Sequence, residues 1–225
     1  MFEKIKQKIQ QSIENAIDLQ QKAQAKLAEH FNDEVASKTQ WSALKKGGTN
    51  FKTHKLVQQS SRVLKYQLST GGLLFIGVFG LIGAGVMIAG FYVLFSTSEM
   101  PSLFLVLFGL IFFTAAVVMY LTMGKPIYLD RSIGMMYKGN NPPKLSGMQD
   151  KNDNVYLNNV HAVQIIKEYV RSNKSSYYSY EINLVMKDAT RVNVIDFGNY
   201  KQIKKDAKII SQFLVKPVWN AVDLS

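Results

Sequence analysis

The chain has 225 residues, a formal net charge of +11 and no cysteine. The missing cysteines exclude disulfides, thiolate metal centres and cysteine nucleophiles. The basic balance raises nucleic acid as a partner, but the lysines and arginines flank two oily segments. An anionic leaflet attracts such groups at about 1 kcal/mol each, so a lipid bilayer is the expected partner and nucleic acid is not.

Residues 1–46 form an N-terminal arm. Phe2, Ile5, Ile9, Ile13, Ile17, Leu27, Phe31 and Val35 recur at helical spacing, bridged by Ala16 and Ala23. This predicts one long amphipathic helix over 2–36. Its stripe can lie on a membrane surface beside Lys4, Lys6 and Lys8, pair with another helix, or fold back on the C-terminal domain. The first 25 residues lack the apolar core of a signal peptide. Gly47-Gly48 breaks the helix. Residues 47–71 then form a linker, with Leu56, Val63, Leu64 and Leu68 suggesting a partly helical approach.

Residues 72–123 predict a transmembrane hairpin. Its spans, 72–95 and 103–123, contain no Asp, Glu, Lys, Arg, His, Asn or Gln. As helices they are about 36 and 32 Å long, enough to cross a hydrocarbon core of about 30 Å. The link 96–101 is short and carries Glu99; Pro101 suits the start of the second helix. Residues 1–71 hold 12 Lys and Arg against 6 acids, residues 125–225 hold 15 against 9, and the link holds no basic residue. Both termini are therefore expected in the cytoplasm of a bacterial inner-membrane protein. Gly77, Gly80, Ala84 and Gly109 are expected to pack the helices against each other or against a second copy. With no charge inside either span, an ion path formed by this chain alone is not expected.

Residues 125–225 read as a cytosolic antiparallel β domain. Residues 126–129 and 133–137 flank a turn at Asp130-Arg131-Ser132 and Gly134. Residues 140–154 are loop. Strands follow at 155–157, 160–171, 177–186 and 190–197, and Tyr178, Tyr180, Ile182 and Leu184 share one face. A helix over 199–214 carries the stripe Ile203, Ala207, Ile210 and Leu214. Pro217 ends it, with Trp219 tucked against the sheet. The whole is a membrane α+β protein.

Several stretches carry a resemblance: Tyr128-Leu129-Asp130-Arg131 with Gly134; Ala162-Val163-Gln164; residues 180–185; Arg191-Val192-Asn193-Val194; and Pro217-Val218-Trp219-Asn220. The order resembles a pleckstrin-homology-like half-barrel. Over residues 70–220 the chain is similar to a loose set of bacterial membrane proteins in which a two-helix hairpin precedes such a domain, a plan shared with photosystem assembly proteins. The resemblance implies a membrane-tethered binding or assembly module and carries no catalytic residue.

Tyr177, Tyr178 and Tyr180, with Arg171 and Lys174, form the candidate interaction patch, since tyrosines supply interface area at low entropic cost. His30, His54 and His161 lack metal-ligand spacing, so no metal, cofactor or small-molecule substrate is expected. Glu168, Glu181, Asp188 and Asp196 are expected to be solvated or paired, and no nucleophile elbow or phosphate loop is present. The expectation is a non-enzymatic scaffold with a protein partner or a second copy of itself. The alternatives are an immunity or stress protein facing a membrane-active toxin, and an accessory subunit of a larger transporter.

Overall fold

The computed structural model describes residues 5–7, 10–11, 14, 18, 22, 25–27, 29–97, 100–143, 154–171 and 175–224. Glu99, Lys174, most of 140–154 and much of the predicted N-terminal helix lie outside the described residues. The chain divides into two compact units, one of residues 51–157 and one of residues 1–50 with 158–225.

The first unit contains β1 (His54–Ser60), β2 (Val63–Leu68), α2 (Thr70–Thr97), α3 (Ser102–Met123), β3 (Ile127–Asp130), β4 (Met135–Lys138) and β5 (Val155–Tyr156). The strands form one antiparallel sheet in the order β1-β2-β3-β4-β5. Residues 54–68 are thus strands rather than the expected helical approach. Leu64, Tyr66 and Leu68 alternate with Val63, Lys65 and Gln67, and only the first set is buried. That period of two overrides the weaker helical spacing.

The hairpin therefore does not precede the β region; it is inserted between two neighbouring strands. Val63 pairs with Asp130 and Tyr66 with Ile127. From Leu68 the chain enters α2 after one residue, and it leaves α3 four residues before β3. Ser69 makes the first turn abrupt. Its hydroxyl accepts from the Gly72 amide at 3.0 Å and donates to the Lys52 carbonyl at 2.9 Å, capping one of the helix's orphan amides. At the other junction His54 Nε2 lies 2.9 Å from the Met123 carbonyl, and Nδ1 lies 2.8 Å from Thr53 Oγ1. A carbonyl only accepts, so Nε2 carries the proton and Nδ1 accepts from the Thr53 hydroxyl.

The two helices are long and apolar enough to cross a membrane. They meet along a narrow seam built on Gly80, Gly83 and Gly90 of α2 and on Val106, Gly109 and Ala116 of α3; Gly72 is buried instead against Thr53 and Leu68. At Gly83 and Gly109 the backbones come so close that a Cβ on either would strike the other helix's main chain. Of the expected packing residues, Gly109 lies in this seam and Gly80 faces Ala116. Ala84 is half-buried, and Gly77 is exposed with nothing within 4 Å of a Cβ built there. The seam follows steps of three and seven, and Gly77 lies outside it.

The second unit contains α1 (Glu34–Lys38), β6 (Val160–Arg171), β7 (Ser176–Met186), β8 (Arg191–Phe197), α4 (Tyr200–Leu214) and β9 (Val218–Asn220). Its sheet runs β8-β7-β6-β9, with β9 parallel to β6 and the other pairs antiparallel. Residues 125–225 are accordingly shared between two units, and Trp219 lies within a strand of the sheet. The stripe Ile203, Ala207 and Ile210 on α4 is buried, with Phe213 completing it. Asn199 caps α4 by accepting from the Gln202 amide at 3.0 Å.

The predicted helix over 2–36 breaks before its end. Asn32 has φ 46°, and Asp33 is extended. Asn tolerates the left-handed region better than most residues. The Asp33 carboxylate then starts α1 by accepting from the Val35 and Ala36 amides at 2.8 and 3.1 Å. Residues 31–41 pack on the sheet: Ala36, Ala162, Val185 and Trp219 form a buried cluster flanked by Phe31, Val35 and Trp41. Phe31 stacks on Trp41 at 5.2 Å, and both lie 5.8 Å from Trp219. The end of the expected arm is thus part of this unit's core.

Candidate functional site

The long hairpin of β6 and β7 separates two chemistries by strand alternation. On one face Tyr169 pairs with Tyr178 and Lys167 with Tyr180. The Tyr169 and Tyr178 rings are 5.2 Å apart, with the Lys167 ammonium 5.4 Å from Tyr178. Tyr169 and Tyr178 are 57% and 49% exposed. Tyr180 meets Tyr200 at 5.0 Å at the start of α4. Arg171, exposed at the end of β6, shares this face by the same alternation.

Behind Tyr200 lies a polar brace. The Tyr200 hydroxyl donates to Asp223, accepts from Asn220 Nδ2 at 2.8 Å, and the Lys204 ammonium binds Asp223 at 2.6 Å. Lys204 and Tyr200 hold the Asp223 carboxyl below the usual range. Burial and Asp223 push the Tyr200 phenol up.

The opposite face is covered by residues 40–50, which lie across the sheet as a strap. Glu181, 0% exposed, accepts from the Leu44 and Lys45 amides, both at 2.9 Å, and from Asn183 Nδ2 at 3.0 Å. Glu168 accepts from Gly47 and Gly48 at 3.0 and 3.1 Å. Asp196 accepts from Thr49 at 3.1 Å. The Arg191 guanidinium donates to the Ser42 carbonyl at 2.7 Å and to Gln164 Oε1 at 3.3 Å. Burial lowers the Arg191 pKa, and Glu181 offsets part of that. Three carboxylates thus serve as anions for consecutive backbone amides, a job for which unpaired loop amides are suited.

The expected tyrosine patch is divided by this arrangement. Tyr178 and Tyr180 lie on the open face, whereas Tyr177 lies beneath the strap and donates to the Gly48 carbonyl at 2.9 Å. Lys174 lies outside the described residues. Sequence reasoning passed over Tyr169 and Lys167. Counting back from the turn through 172–175 gives the pairing of 169 with 178, a signal present in the sequence. His161 is committed to Asp33 at 2.8 Å. No cluster of three or more potential metal ligands occurs among the described residues. Comparison with protein-family models, curated proteins and solved structures finds no match for this chain.

Proposed function

We propose that the chain is a non-enzymatic inner-membrane protein, anchored by α2 and α3 with both termini in the cytoplasm, that holds a protein partner at the membrane. The observation carrying this reading is the junction. A hydrogen-bonded strand pair continues into two helices whose outward side chains are oily; Leu81, Phe95 and Phe104 are 77%, 81% and 76% exposed. Only 17% of each helix's most apolar window is buried, against the largely buried core helix of a soluble fold. Lipid satisfies such a surface and water does not.

The succession of a five-strand meander, a three-strand meander and a C-terminal helix supports a pleckstrin-homology-like reading, with the hairpin inserted between its second and third strands. The docking face in this reading is Tyr169, Tyr178, Lys167 and Arg171, suited to an acidic protein surface by its charge and its rigid aromatic area. Anchoring raises the effective concentration of that face at the membrane.

Three experiments test the proposal. Alkaline extraction of membranes should leave the chain in the pellet, and C-terminal protease sites should be open only in inside-out vesicles. Affinity purification should yield a stoichiometric partner that Tyr169→Ala with Tyr178→Ala loses. Extraction into the aqueous phase refutes the anchor; partner recovery unaffected by the double variant refutes the docking face.

A further inference from the structure

Where the sheet meets the apolar helices there is an open recess of about 410 Å³. Lys65 and Gln67 of β2, Tyr120 near the end of α3, Lys125 and Asn140 line it. These groups offer two ammonium charges, a phenol and two amides. No acidic residue lines the recess. Lys65 lies over the Tyr128 ring at 5.1 Å, a contact that holds a cation without neutralising it. The remaining wall is oily: Leu73 on the first turns of α2 and Leu121 on the last turns of α3, both largely exposed beyond it. The recess is cationic on the sheet side and apolar on the helix side.

We infer that this recess binds the phosphate of an anionic phospholipid, with Lys65 and Lys125 on the headgroup and Leu73 and Leu121 against the acyl chains. The inference rests on the membrane reading above, because the helix ends lie at the level of a leaflet's headgroups only if α2 and α3 span it. Charge complementarity and the polar-to-apolar order of the lining select the occupant. A free phosphate uses the first half of the site and leaves the leucines uncovered. A zwitterionic lipid can fill both halves but brings its own cation toward the lysines. Tyr120, three residues before the end of α3, stands where membrane helices carry interfacial aromatics. A basic pocket at the end of paired membrane helices is a general solution for anionic headgroups.

The test uses the full chain in mild detergent and native mass spectrometry. Phosphatidylglycerol, phosphatidylcholine and inorganic phosphate are titrated separately. One phosphatidylglycerol should bind at least tenfold more tightly than phosphatidylcholine. Lys65→Ala with Lys125→Ala should weaken it by roughly 30-fold, about fivefold per basic group. Lys65→Arg with Lys125→Arg should retain it. Lys201→Ala with Lys208→Ala removes the same charge from α4 and should change nothing. Equal weakening by the α4 pair, or no preference between the two lipids, overturns the inference. Competition by millimolar inorganic phosphate reassigns the site to a free anion and overturns the lipid. Melting curves matching wild type show that the variants fold. A chain that pellets after alkaline extraction yet binds both lipids alike refutes this site and leaves the anchor standing.

Discussion

Glu181 is the residue whose removal should do most damage to the second unit. Its carboxylate is fully buried and holds the Leu44 and Lys45 amides and Asn183, beside the Arg191 charge. Glu181→Ala leaves two strap amides without acceptors and a guanidinium without its counter-charge. Breaking one partner of a buried ionic arrangement costs about 3–5 kcal/mol. Glu181→Gln keeps one acceptor and turns a donor toward the second amide. It should cost about 2 kcal/mol, the size of one unsatisfied buried group. Glu168→Ala should cost about 1–2 kcal/mol, since the exposed Gly47 amide can rehydrate and only the buried Gly48 amide loses its acceptor. The chain has two tryptophans, Trp41 and Trp219, and both lie in the cluster packed beside the strap. Tryptophan emission during urea unfolding therefore reports this region alone. Hydrogen exchange over 40–50 gives a second readout. A Glu181→Ala protein within 1 kcal/mol of wild type, with slow exchange at residues 44 and 45, refutes the account of the strap.

Gly83→Ala should destabilise the helix pair by about 1–3 kcal/mol through overpacking, because the new methyl meets the Phe113 backbone; Gly77→Ala should be neutral, and denaturant titration in micelles compares the two. Asp33 is held below the usual carboxylate range, against the opposing effect of its partial burial, by His161 and by the Ala36 and Val35 amides. Its contribution is present above the unfolded value near pH 4 and is lost as pH falls through the lower folded value, so tryptophan emission should shift in that acid window. Asp33→Asn should remove the shift. His54→Ala should cost about 1–2 kcal/mol by freeing the Met123 carbonyl and Thr53 hydroxyl, read as faster proteolysis after α3.

The apolar helices were legible to within two residues of their observed ends, because composition alone defines such segments. β6, β7 and α4 were equally legible, since Tyr178, Tyr180, Ile182 and Leu184 keep a strict period of two and Ile203, Ala207 and Ile210 a helical one. β1 and β2 were hidden by a choice among residues. Leu56, Val63 and Leu64 fit helical spacing loosely, whereas Leu64, Tyr66 and Leu68 fit a strand without exception. The pairing of β2 with β3 was beyond any local signal, because its partner arrives only after the hairpin. The strap was hidden for a related reason. Gly47 and Gly48 read as a break, and nothing near them announces Glu168 on a distant strand as their acceptor. The open-face patch was half legible: two of its tyrosines were visible by alternation, and Tyr169 required the register.

The insertion of the hairpin inside a sheet dictates an order of assembly. A ribosome delivers β1 and β2 first, and their outer hydrogen-bonding edge stays open while both oily helices are made. Only when α3 has returned alongside α2 does β3 arrive at the waiting edge, so closing the helix pair is the step that licenses completion of the sheet. A variant that jams Gly83 against Phe113 should therefore leave an unmated strand far from the substitution, exposed to proteases and to pairing with other chains.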